Sequence, residues 1–182
     1  RKVVWITGAA SGLGRESALR CAAEGARLIV TDLAAPEAVA AGIADAGGEA
    51  LALAQDVTVE GRWDEVADEA EKAFGGFDVL VNNAGLGENR PLAETTLTQW
   101  RRVQSVNLDS VFLGTRLAFR RMRPGGSVIN ISSILGLVGN AGTAAYCASK
   151  GGVRLLSKSA AVDAAQAGLT IRVNSIHPGY IE

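Results

Sequence analysis

Thr7-Gly8-Ala9-Ala10-Ser11-Gly12-Leu13-Gly14 is the stretch whose reading decides the fold. The apolar run before it, Val3 to Thr7, is consistent with a fully buried strand. The pattern behind it, through Leu19, Ala23 and Glu24, is helical. Strand, glycine turn and helix in that order make a phosphate-binding device. The glycines permit a tight turn and close backbone approach, and the helix N-terminus offers unpaired N–H groups and a positive dipole end. The spacing is Gly-x-x-x-Gly-x-Gly, not the common Gly-x-Gly-x-x-Gly. A second apolar run, Arg27 to Thr31, ends at Asp32, 18 residues after Gly14. An acid there accepts a hydrogen bond from the adenosine ribose. It also repels a 2′-phosphate. Ser11 and Leu33 beside it are neutral, and Arg15 is expected to point along its helix, so the stretch favours NAD over NADP.

The same alternation continues outward. Pro36 opens a helix that Gly47-Gly48 stops, and Ala50 to Ala54 reads as a third strand leading to Gln55-Asp56-Val57. Val59, Trp63, Val66, Ala67, Ala70 and Phe74 mark a third helix, and Phe77 to Val81 a fourth strand ending in Asn82-Asn83-Ala84-Gly85. Leu86 to Thr96 reads as a loop. Thr98 is then the expected N-cap of one long helix carrying Trp100, Val103, Asn107, Val111, Gly114, Leu117 and Ala118 on one face. Arg120, Arg121 and Arg123 suit the C-terminal end of that helix. Ser127 to Ile131 is a fifth strand, Ile134 to Thr143 a loop, Ala144 to Ala167 a helix and Thr170 to Ile176 a sixth strand. Strands alternating with helices imply right-handed crossovers and a parallel sheet. Residues 1–182 read as a single α/β dinucleotide-binding domain.

Composition narrows the function. The 182 residues are 48% hydrophobic and 20% charged, with a net charge of −1, which speaks against a nucleic-acid partner or an anionic membrane. No apolar run approaches the ~18 residues that span a bilayer. Cys21 and Cys147 lack metal-ligand spacing and read as reduced residues of a cytoplasmic protein. His177 is the only histidine, which excludes a multi-histidine metal site, and is read as structural.

Tyr146-Cys147-Ala148-Ser149-Lys150 lies in the last helical run. Tyr146 and Lys150, four residues apart, share one helical face. A phenol ionises near pH ~10, and an ammonium held beside it favours the phenolate. The pair reads as a tuned proton donor and acceptor. Cys147 points away from Tyr146 and reads as packing.

These motifs together resemble the short-chain dehydrogenases/reductases, across essentially the whole chain. Thr7 to Gly14, with Gly8, Ser11, Gly12, Leu13 and Gly14, resembles that family's cofactor turn. Asp56-Val57 resembles the segment beside the adenine, and Asn82 to Gly85, with Asn83, Ala84 and Gly85, the motif behind the cofactor. Asn107, Ser133, Tyr146 and Lys150 fall at the catalytic tetrad; Ser133, rather than Ser132, stands the usual 13 residues before the tyrosine. Asn174 with Pro178-Gly179, and Ile181 after it, resembles the segment closing over the nicotinamide.

The resemblance implies a three-layer α/β Rossmann fold with strand order 3-2-1-4-5-6. It also implies an NAD(H)-dependent oxidoreductase interconverting a secondary alcohol and a ketone. Tyr146 exchanges the proton, Ser133 orients the substrate oxygen, Lys150 binds the nicotinamide ribose, and Asn107 holds a water that links Lys150 to solvent. Leu86, Ser133, Leu135, Leu137, Val138, Tyr146 and Tyr180 suggest a hydrophobic or cyclic, hydroxysteroid-like substrate. An NADPH-dependent 3-oxoacyl-carrier-protein reductase and a non-catalytic dinucleotide-binding module are the alternatives. A homodimer or homotetramer is expected through the two long helices, with Ser110, Gly114, Gly151 and Gly152 permitting close approach. Family members continue past the Pro-Gly motif with a covering segment, a helix and a seventh strand, so the domain read here is C-terminally incomplete.

Overall fold

β1 (Val3–Thr7) is buried along its whole length, as a strand covered on both faces must be. In the computed structural model, which describes residues 1–181, it is the centre of a six-stranded parallel sheet. β2 (Arg27–Asp32) and β3 (Glu49–Ala54) lie on one side, and β4 (Val79–Asn82), β5 (Ser127–Ile131) and β6 (Arg172–Ile176) on the other. The order is 3-2-1-4-5-6, as the family resemblance implies. Ile6 sits opposite Val30 of β2 and Val81 of β4. The chain reverses its direction of travel across the sheet between β1 and β4, and ligands of such sheets bind at the strand C-termini there.

Two cores cover the two faces. One packs α1 (Gly12–Ala23) and α2 (Glu37–Asp45) on the sheet through Ala18, Val39 and Ile43. The other packs α3 (Glu60–Phe74), α5 (Ser110–Arg121) and α6 (Ala144–Gln166) through Trp63, Leu117 and Ala160. Trp5 is its centre, with ring centroids 5.4 Å from both Trp63 and Phe77. Each aromatic buries a large area, and Phe77 meets Trp5 edge-on.

The segment before Asn107 departs from the sequence reading. Thr96, not Thr98, caps α4 (Leu97–Gln104), because Thr96 and Gln99 form a reciprocal capping box. The expected single helix is also broken: Ser105–Asp109 is a π-turn between α4 and α5, with the Ser110 N–H reaching the Ser105 carbonyl. Arg120 and Arg121 sit in the last turn of α5 as expected, and with Arg116 they also clamp elements together. Arg116 pairs with Glu60, Arg120 with Asp64 and Arg121 with Asp68, all across to α3.

Asp78 ties the opposite end of the sheet. Its carboxylate accepts from the Val3 N–H at 2.7 Å and from Arg123 at 3.1 Å, and pairs with Lys2 at 3.3 Å. Burial opposes the Asp78 charge, but the Val3 bond and the Lys2 and Arg123 cations outweigh it and hold the carboxyl below its ordinary range. A depressed carboxyl stabilises the fold above its unfolded pKa and loses that contribution as pH falls through the folded one. Asp78→Ala is therefore expected to cost about 2 kcal/mol near neutral pH. The difference from the unsubstituted chain should shrink toward acid pH, as measured by urea unfolding across that range.

Candidate active site

The glycine turn is shaped by two constraints. Gly8 and Gly12 hold φ of +65° and +53°, backbone that a side chain disfavours. A Cβ on Gly14 would stand 2.2 Å from the Gly8 carbonyl oxygen and 2.5 Å from Asn83 Nδ2, so helix and turn can close only on glycine. Asn83 locks the turn from behind. Its Nδ2 donates to the Thr7 and Gly8 carbonyls at 2.9 and 3.0 Å, and Thr7 Oγ1 accepts from the Asn83 and Ala84 N–H groups.

Two adjoining cavities open at the strand C-termini and share Leu13, Asn83, Gly85 and Leu86 as a common wall. The first, about 780 Å³, is lined by Gly8, Ser11, Asp32, Asp56, Val57 and Ala84. Asp32 accepts there from the Ala10 N–H at 3.0 Å, which brings its carboxylate against the turn. Arg15 lines the other cavity, away from Asp32. Gln55, Leu33, Thr58, Arg102, Ser105 and Val106 complete this end. Gln55 is 2% exposed, and Thr31 Oγ1 donates to its Oε1 at 2.7 Å while its Nε2 has no partner among the described residues. An orphaned donor in the wall, an acid at the strand end and an open turn at a helix N-terminus fit an adenosine diphosphate moiety.

The second cavity, about 940 Å³, brings Ser133, Leu135, Tyr146, Lys150, Pro178, Gly179 and Ile181 together beside Gly12 and Gly85. Ser133 Oγ accepts from the Leu135 N–H at 3.1 Å, so its own proton is left without an acceptor among the described residues. Ser132, by contrast, donates its hydroxyl to the Lys150 carbonyl at 2.8 Å. Lys150 is 4% exposed. Its Nζ donates to the Ile131 carbonyl at 2.7 Å and stands 5.7 Å from the centre of the Tyr146 ring. Burial lowers the Lys150 pKa to about 8.

Asn107 is fully buried beneath this cavity and does not line it. Its Oδ1 accepts from the Leu86 N–H, and its Nδ2 donates to the Leu86 carbonyl and to Ser149 Oγ. Ser149 in turn donates to the Tyr146 carbonyl at 2.7 Å. The side chain thus joins the π-turn, the loop after β4 and the tyrosine helix, with both amide protons committed.

Some residues read from sequence fall outside the cavities. Gly14 serves packing, and Tyr180 is 91% exposed and not in the lining. Leu137 and Val138 are likewise exposed, although Leu86 and Leu135 do line the cavity. Sequence reasoning missed the polar wall of Arg15, Glu16, Glu88, Asn89 and Thr143. Only its position beside the two motif-bearing loops marks it out. Three of the four small residues expected at a subunit contact pack internally, Gly114 against Trp63 and Asn82, Gly152 against Leu108 and Ser110 onto the Val106 carbonyl, whereas a Cβ on Gly151 would make only ordinary contact with the Gly136 carbonyl.

A family model described as short chain dehydrogenase matches residues 2–182. The NADP-dependent (R)-specific alcohol dehydrogenase of Lentilactobacillus kefiri is 42% identical over 100% of this chain and 73% of its own length. The cyclopentanol dehydrogenase of Comamonas sp. (strain NCIMB 9872) is 44% identical over 99% of this chain and 73% of its own. A crystallised dehydrogenase/reductase from Sinorhizobium meliloti 1021 superposes with a TM-score of 0.92 at 37% identity, covering 98% of this chain and 71% of that one.

The buried lysine leaves a signature in stability. A lysine with a depressed folded pKa binds its proton more weakly than in the unfolded chain, so the fold gains stability as pH rises from about 8 to the ordinary lysine value of 10.5. The gain is on the order of 3 kcal/mol. Lys150→Met should remove that rise, as seen by comparing denaturant midpoints of the two proteins across this window.

Proposed function

This chain belongs to the short-chain dehydrogenase family, and on that premise we propose that it interconverts a secondary alcohol and a ketone with NAD(H). One observation carries the reading: a free Ser133 proton, the Tyr146 phenol and the Lys150 ammonium converge on one cavity that adjoins the glycine turn. Gly8, Ser11, Gly12 and Leu13 would hold the pyrophosphate, Asp32 the adenosine ribose, Asp56 and Val57 the adenine, and Lys150 the nicotinamide ribose. Asn83, Ala84 and Gly85 would form the wall behind it, with Pro178, Gly179 and Ile181 at the nicotinamide end. The dinucleotide, when bound, supplies hydride exchange.

The protein's own part is alignment and proton transfer. The Ser133 hydroxyl donates to the substrate oxygen and fixes its position. Tyr146 takes the alcohol proton in oxidation and returns it in reduction. Lys150 sets positive charge beside the phenol. Because the Asn107 amide is committed to Leu86 and Ser149, a water that relays protons from Lys150 falls to the main chain of the π-turn.

Leu86, Leu135, Pro178 and Ile181 in the lining support a hydrophobic or cyclic alcohol. The likeness to a cyclopentanol dehydrogenase supports it too. Asp32 among neutral Ser11 and Leu33 supports NAD, whereas the likeness to an NADP-dependent relative favours NADP as the second reading. Phe112 on α5 and Leu155 and Val162 on α6 are exposed and support a homodimer through these helices.

Steady-state assays with NAD and a panel of secondary alcohols test the proposal. Tyr146→Phe should lower kcat/KM roughly a thousandfold with NADH binding nearly intact. Near-normal turnover in that variant, or turnover of charged substrates only, would overturn the assignment. Titration of NADH and NADPH should give a Kd ratio of roughly tenfold or more in favour of NADH, and Asp32→Asn should narrow it.

A further inference from the structure

We propose that His177 is a positioning residue for Ser133. The inference rests on the role of Ser133 proposed above. Its imidazole Nδ1 lies 3.1 Å from the Ser133 carbonyl oxygen and its Nε2 lies 3.0 Å from Ser175 Oγ. A carbonyl oxygen carries no proton, so Nδ1 must carry the one they share. In the neutral ring, Nε2 then accepts from the Ser175 hydroxyl. The tautomer is fixed by what the ring faces.

The neighbouring backbone shows why a side chain is needed there. The Ser132 N–H donates to the Ile176 carbonyl at 2.8 Å, and the Ile134 N–H donates to the Pro178 carbonyl at 2.9 Å. Residues 132–134 are thus laced to residues 176–178, but every one of those backbone bonds is donated from the serine side. Pro178 has no N–H to return one. His177 supplies the returning donor through its ring. Ser133 is then held at its carbonyl by His177 from the segment after β6 and by the Gly136 N–H at 2.9 Å from its own turn, and at its hydroxyl oxygen by the Leu135 N–H, with extended backbone at φ −164° between. Loss of the ring leaves that carbonyl on the Gly136 N–H of its own turn alone, so residue 133 loses its side-chain tie to the segment after β6 and its hydroxyl direction loosens.

His177 is the only histidine of the sequence, so its ring nitrogens can be read without assignment ambiguity. The ¹⁵N spectrum of untagged, histidine-labelled protein, recorded with the ring neutral, should show the proton on Nδ1. His177→Leu should lower kcat roughly tenfold or more, as misplacement of an aligning group does. NADH affinity and thermal midpoint should stay close to those of the unsubstituted chain. His177→Asn, whose amide N–H can reach the same carbonyl, should recover most of the lost kcat. In a Ser133→Ala background, His177→Leu should cost nothing further. A proton on Nε2, or an equal loss in both backgrounds, would overturn the inference. Failure of the proposed reaction shows separately, as absence of turnover in the unsubstituted chain, and the tautomer is read without turnover.

Discussion

The mutual clasp of Thr7 and Asn83 is the constraint on which the rest depends. Each residue serves the other's backbone: the Asn83 amide donates to two carbonyls of the glycine turn, and the Thr7 hydroxyl accepts from two N–H groups after β4. The clasp spans the two strands where the sheet reverses its order, the place where a cleft must form. It also explains the glycines around it. A Cβ on Gly8 would stand 2.8 Å from Ala84 Cα, and one on Gly14 would strike Asn83 itself. The turn is therefore held open toward the cavities by being packed solid behind.

Asn107 does beneath the second cavity what Asn83 does behind the glycine turn. It clasps the Leu86 backbone through both its carbonyl oxygen and its amide nitrogen, and it reaches the tyrosine helix through Ser149. A buried amide with all its protons placed adds rigidity, and one left unpaired would be costly. The π-turn at Ser105–Asp109 is the local adjustment that coincides with this reach. π-turns are uncommon and cluster at functional sites.

Most of the architecture was legible in the sequence because strand burial and glycine turns are local signals. Buried runs such as Val3 to Thr7 and Arg27 to Thr31 sit where the pattern put them, and the parallel sheet follows from alternation and crossover handedness, while its strand order follows from the family resemblance. The Thr96 cap was legible too, since Thr96 and Gln99 have capping-box spacing, but the run of threonines hid it. The π-turn was not legible. It coincides with a tertiary bond from Asn107 to Leu86, 21 residues away, and hydrophobic spacing continues through it unchanged. The same holds for Gly114 and Gly152. A small residue on a helix states that something approaches closely, but not whether a partner subunit or the chain's own Trp63 or Leu108 does so.

A common design runs through the reactive groups: each is bonded from behind and left open in front. Lys150 is fixed by the Ile131 carbonyl, and the Ser132 hydroxyl fixes its main chain. Ser133 is fixed by Leu135 and His177, and the Tyr146 carbonyl by Ser149. Such anchoring removes rotamer freedom before any ligand arrives, so that entropy is not lost again on binding. It also carries a cost. Burying the Lys150 amine brings its pKa to about 8, within reach of neutral pH, at the expense of stability below that value. A surface lysine on the same helix would avoid the penalty, but its charge would be screened by water. The fold accepts the penalty where a buried cation faces a phenol, and the Ile131 carbonyl that accepts from Nζ keeps that cation in place.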